Sequence, residues 1–142
     1  MSNEIRGNTA LKDSKIGPGP TLRHGPGPEL MGASTLNGDD VVDDNGDALG
    51  KIKEIMLDMR NGKVGYAVMS FGSFLGMGEK LFAVPWNALK LDAEHKRFVL
   101  KVSKDQLKNA PGFDKDKWPN MADQVWASSI NTYYKTKPYY DV

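Results

Sequence analysis

In the run KVGYAVMSFGSFLGMGEKLFAVPW, residues 63–86, two apolar segments flank a loop that holds Gly72, Gly76 and Gly78 and closes on Lys80. Glycines ahead of a lysine raise the question of a phosphate cradle. Such a loop needs Gly-Lys-Ser/Thr after a strand and at the start of a helix, so that backbone amides face the phosphates. Here Glu79 precedes Lys80, and Leu81-Phe82-Ala83-Val84 after it has the composition of a strand. The spacing also fails Gly-x-Gly-x-x-Gly. The stretch therefore reads as two strands joined by a long hairpin loop whose glycines serve positive-φ positions. Phe74, Leu75 and Met77 on that loop either tuck onto the end of the sheet or meet a partner.

Outward from this loop the strand pattern continues in both directions. Val64, Tyr66 and Val68 alternate with Ala67, Met69 and Phe71, so both faces are apolar. That suits a strand inside a small barrel, or one covered by another element. Upstream, VVDDNGDALGKIKEIMLDM (41–59) predicts a strand, an Asp-Asn-Gly turn at 44–46 and a longer strand, and Asn61-Gly62 predicts the next hairpin. Ile52 is out of phase with Ile55, Leu57 and Met59, which predicts a bulge near Lys53–Glu54. Downstream, ALKLD and RFVLKV make two more strands around the turn DAEHK, with Phe98, Leu100 and Val102 on one face. Five or six short strands on short links predict a mainly β chain, built on a small antiparallel barrel or strongly curved sheet over residues 34–102.

The flanks differ from this centre. Residues 1–33 carry GPGPTL at 17–22 and GPGPEL at 25–30, an extended arm poor in hydrogen bonds. It is either a flexible leader or an arm whose Leu22, Leu30 and Met31 dock on a neighbouring subunit. Residues 103–142 predict short helices. Ser103 and Gln106 form a capping box, and Asn120 is the expected cap of a second helix through about Tyr134. That helix would carry Val125, Trp126, Ile130, Tyr133 and Tyr134 on one apolar face, for packing on the barrel or on another subunit.

Composition narrows the function. Of 142 residues, 39% are apolar and 26% charged, and the net charge is +1. Residues 1–33 hold four basic and three acidic side chains, 34–102 nine and ten, and 103–142 six and five. No part has the basic excess that nucleic-acid binding needs, so no nucleic-acid partner is expected. There is no cysteine, which excludes disulfides and thiolate chemistry. No apolar run approaches a signal peptide or a membrane span, and the expected location is cytoplasmic, without membrane insertion. DDVVDDNGD (39–47) fails as a calcium loop because Val41 and Ile52 stand at ligand positions. His24 and His95 are the only histidines and lie in no zinc spacing. No catalytic residue, cofactor or metal ligand is expected.

The segment GDDVVDDNGDALGKIKEIMLDMRNGKVGYAVMSFGSFLGMGEKLFAVPWNAL (38–89) resembles the PRC-barrel family, the β-barrel of the photosynthetic reaction-centre H subunit's cytoplasmic domain. A related barrel forms part of a maturation factor for the small ribosomal subunit. The resemblance rests on Gly46, Gly50, Ile52, Asp58 and Asn61-Gly62, then on Tyr66-Ala67-Val68, Ser70-Phe71-Gly72, Leu75-Gly76, Gly78 and Val84-Pro85-Trp86. Ser73 departs from the pattern, where a second glycine is expected. The likeness continues through LKNAPGFDKDKWPNMAD (107–123), in the manner of stand-alone bacterial members, and leaves out the arm. It implies a non-enzymatic module of protein interaction and assembly, with no shared active site. The expected partners are further copies of the chain, as a homo-oligomer or filament, and another protein. Leu22, Leu30, Met31, Phe74, Leu75, Met77, Trp118, Trp126, Tyr133 and Tyr134 are the expected contact residues. The alternative is an RNA- or ribosome-associated adaptor, by analogy with the maturation factor.

Overall fold

Two turns set the first half of the sheet. The Asp43 carboxylate accepts the amides of Asn45 and Asp47 at 2.9 Å each, and Gly46 sits at φ +84°. This joins β1 (Asp40–Val42), which follows the one-turn helix α1 (Ala33–Leu36), to β2 (Ala48–Asp58). The Asn61 side chain accepts the Lys63 amide, with Gly62 at φ +76°, and β2 turns into β3 (Lys63–Phe71). Side-chain caps of this kind replace the missing ladder bonds at a turn, and glycine takes the left-handed residue without a Cβ clash. The structure, a computed structural model, describes residues 30–71 and 80–140. Residues 1–29 of the arm, with Leu22, and the loop with Phe74, Leu75 and Met77 lie outside the described residues. The chain divides into Met1–Met31 and Gly32–Val142, and the elements named belong to the second unit.

After the loop come β4 (Lys80–Pro85), a 3-10 turn at Trp86–Ala88, β5 (Leu89–Asp92), β6 (Arg97–Leu100) and a two-residue β7 (Phe113–Asp114). The sheet order is β5-β6-β1-β2-β3-β4-β7, so the chain is mainly β, as expected. Two details differ from an all-antiparallel closed barrel. β1 and β6 pair in parallel, Val41 opposite Phe98, because the β5–β6 hairpin returns to the edge of β1 that β2 leaves free. No ladder joins β5 to β7 among the described residues.

The β2–β3 ladder skips twice. Ile52 faces Met69 and Glu54 faces Val68, so Lys53 is the extra residue of the bulge that the phase slip at Ile52 predicts. Met56 then faces Tyr66 while Leu57 faces Val64, which leaves Gly65 extra on the other strand. Bulges add twist and bend a ladder. Gly50 is where the bent strands come closest: a Cβ there would lie 1.8 Å from the Ser70 carbonyl oxygen.

Residues 66–69 and 81–85 are buried without interruption, which explains apolar side chains on both faces of β3. One core takes Val41, Leu49, Ile52, Met69, Phe82 and Phe98 from the strands together with Leu107, Ile130 and Tyr134 from the C-terminal segment. α2 (Lys104–Lys108) starts at the expected capping box, with Ser103 and Gln106 exchanging bonds of 3.0 Å. α3 (Gln124–Tyr134) starts later than expected. Asp123, not Asn120, is its cap and accepts the Val125 amide at 2.8 Å, while Asn120 closes the turn in front through the Ala122 amide. The buried stripe is Ala127, Ile130, Asn131 and Tyr134, and Val125 is 80% exposed. The Asn131 amide is satisfied by the Ala127 carbonyl and the Thr136 hydroxyl.

Gly50→Ala drives a methyl group into backbone and should cost on the order of 3 kcal/mol or abolish folding. Gly46→Ala meets open space and pays only for its positive φ, about 1 kcal/mol. Urea unfolding of both variants measures the difference, and equal losses would contradict the close approach at Gly50.

Candidate functional site

The end of β2 presents a carboxylate that four donors enclose. Asp58 Oδ1 accepts the Arg60 amide at 2.9 Å and Arg60 Nε at 3.0 Å, and Oδ2 accepts Arg60 Nη2 at 2.9 Å and the Tyr139 hydroxyl. The local turn builds this. Asp58 closes the hairpin by accepting the Gly62 amide on its carbonyl, and Arg60, two residues on, folds back as a fork. Hydrogen bonds from the Arg60 guanidinium, then from Tyr139 and the Arg60 amide, hold the Asp58 carboxyl well below the usual carboxylate range. The same bond raises Arg60 above its ordinary value.

Tyr139 reaches this point because Gly65 has no side chain. A Cβ on Gly65 would lie 2.9 Å from the Tyr139 ring. Beneath it, Tyr66 meets the Trp126 and Tyr139 rings edge-on, with centroids 5.2 and 5.9 Å away, a favoured aromatic geometry. The Tyr66 hydroxyl is buried beside the Asn131 side chain, without a hydrogen bond of full geometry. Burial, with Tyr139 a second cause, pushes its pKa up to about 12.

Around the Asp58–Arg60 pair run two adjoining hollows of about 290 and 170 Å³ that share Asp58, Arg60, Tyr66, Met121 and Tyr139. Met56, Leu57 and Met59 wall the larger one. Leu57 is 50% and Met59 85% exposed. Asp58 and Tyr66 stand out in the sequence, but their meeting with Tyr139, 81 residues beyond Asp58, leaves no local signal. Only Asp58-x-Arg60 ahead of a turn hints at it.

The expected contact residues scatter. Tyr134 is buried, and Tyr133 packs on it with its hydroxyl donating to the Gln106 carbonyl. Trp126 is half-buried against Tyr66. Trp118 stacks on Phe113 and donates to the Lys115 carbonyl at 2.8 Å, yet remains 43% exposed. Leu30 and Met31 are exposed.

A second polar cluster joins Asp92, Glu94 and His95 in the β5–β6 turn. Asp92 Oδ2 meets His95 Nδ1 at 2.9 Å and Arg97 Nε at 3.2 Å. Burial raises the Asp92 pKa, but the bonds from His95 and Arg97 together outweigh it and leave it lowered. The carboxylate serves its own hairpin.

The Asp58 carboxylate is thus neutralised by the arginine of its own turn, beside a groove with apolar walls, while Asp92 is bonded by His95 and Arg97 of its own hairpin. The PRC-barrel domain model matches residues 28–107, more than half of the chain, and the chain belongs to the PRC-barrel family. PRC-barrel domains are protein-interaction modules and are generally non-catalytic. No curated protein is similar enough to the chain to count as a match. No helix among the described residues is long and apolar enough to cross a membrane.

Asp58 has a depressed folded-state pKa, so its ionised form contributes stability above the ordinary carboxylate pKa of about 3.9, and that contribution fades as the pH falls towards the folded value. Asp58→Asn should therefore lower the Tm at pH 7, and its gap to the wild type should narrow below about pH 4. A gap of constant size down to about pH 2.5 would show that the charge is not what matters. Tyr66→Phe removes a buried hydroxyl that lacks a hydrogen bond of full geometry and should leave thermal stability unchanged or raise it by about 1 kcal/mol. A clear loss would mean that the hydroxyl has a partner.

Proposed function

We propose that this protein is a non-enzymatic interaction and assembly module of the cytoplasm. It associates with copies of itself through the barrel, the N-terminal arm and the C-terminal helix, and it docks a further protein. The observation that carries this reading is the unfinished sheet. Among the described residues β5 has a ladder on one side only, and its Leu91 is exposed. An unpaired edge offers backbone groups to a further strand, which is a common route of assembly. The balanced charge favours protein partners over nucleic acid. If the arm of one copy docks on the next in a single direction, the contact is heterologous, and it closes a ring or runs on as a filament.

Light scattering across a concentration series, on the full chain and on a version lacking residues 1–32, tests the reading. The full chain should form large assemblies and the shortened one small species. A full chain that stays monomeric at high concentration would sink self-association. Equal small oligomers from both would remove the arm from the assembly.

A further inference from the structure

We propose that the groove beside Asp58 and Arg60 is a docking site for a peptide segment of a partner protein, one in which a carboxylate side chain lies next to an aliphatic one. The proposal rests on the reading of the domain as an interaction module and gives that reading a site. Charge decides the polar half. The Asp58 side chain is 5% exposed and receives four donors, whereas the Arg60 side chain, which holds it through Nε and Nη2, is 72% exposed. The pair is neutral in sum but layered, anion inside and cation outside. A ligand entering the groove therefore meets the positive member, and of its five guanidinium N–H donors Asp58 takes two, which leaves the outer ones for a carboxylate. Asn61 and Gln124 line the smaller hollow and offer side-chain amides to a peptide backbone.

The apolar half follows from the walls. Leu57 and Met59 are exposed large side chains, and Met56 and Met121 complete the lining. Methionine adapts to varied apolar shapes and is favoured at surfaces that take more than one partner. At about 290 Å³ the hollow is at the lower limit for a drug-sized ligand, roughly 300 Å³, and has room for the aliphatic side chain of a short peptide. Arg60 is the one cation among the residues that line the two hollows, whereas nucleic acid or an anionic membrane is held by several.

The test uses the full chain, labelled with nitrogen-15 and diluted until light scattering shows small species, so that its amide signals are observable. The probes are two blocked peptides, acetyl-Gly-Glu-Leu-Leu-Gly-amide and its lysine-for-glutamate counterpart. The acidic peptide should shift the amides of residues 58–63 and 121–124 progressively, and the lysine peptide should bind at least about five-fold more weakly. Arg60→Gln should remove that preference. Since it also unpins Asp58, Met59→Asp is the second variant: the side chain lies outside the Asp58 bonds, and a carboxylate there should abolish binding of the acidic peptide. Equal binding of the two peptides, no shifts at millimolar peptide, or unchanged binding to Met59→Asp would each overturn the proposal. Light scattering on the same samples separates it from the assembly reading. Assembly without peptide binding sinks the groove alone, and peptide binding by a strict monomer sinks self-association alone.

Discussion

The carbonyl of Ser70 passes so close to Gly50 that no other residue type leaves room for it, and this contact governs how β2 lies on β3. With the strands fixed there, the ladder that continues away from Gly50 has to bend, and it does so by skipping Lys53 on one strand and Gly65 on the other. The first skip turns Ile52 into the core while Lys53 and Glu54 stay at the surface. The second opens the space over Gly65 that Tyr139 fills. A single backbone approach near one end of the hairpin is thereby linked to the aromatic packing at the other.

The C-terminal segment is part of this design and not an appendage. Leu107, Ile130 and Tyr134 share the core of the strands, and Tyr139 ties the last described residues to Asp58. Without α3 and Tyr139, Tyr66 would lose the rings of Trp126 and Tyr139. Aromatic side chains carry much of the burial in a domain of this size. That is why Trp126, Tyr133 and Tyr134 read from sequence as a surface for partners and yet pack within the chain.

Local chemistry made much of the fold legible. The turn at Asp43–Asp47, the turn at Asn61-Gly62, the capping box at Ser103 and the bulge at Lys53 each follow from residues a few positions apart, where propensity and hydrogen bonding act directly. Asn120 misled because two good caps stand three residues apart, and only packing of Ala127 and Ile130 on the sheet selects Asp123. The parallel pairing of β1 with β6 and the meeting of Asp58 with Tyr139 were out of reach, since each joins residues more than 50 positions apart. Nothing in a short window encodes such a pair. The groove is illegible for the same reason, because Met121 and Tyr139 come to Met59 only through the fold.

The parallel ladder also bears on how the chain reaches this state. β1 to β4 form a meander of neighbours, and each ladder in it closes a short loop. β6 reaches β1 only after the chain between residues 42 and 97 has been laid down, so its pairing carries the entropy of a long closure. During synthesis the first strand of the sheet must wait with one side bare until more than half the domain has followed. Among the described ladders the β1–β6 seam therefore carries the longest closure, and the short length of β1, three residues, keeps the waiting edge small while it is exposed.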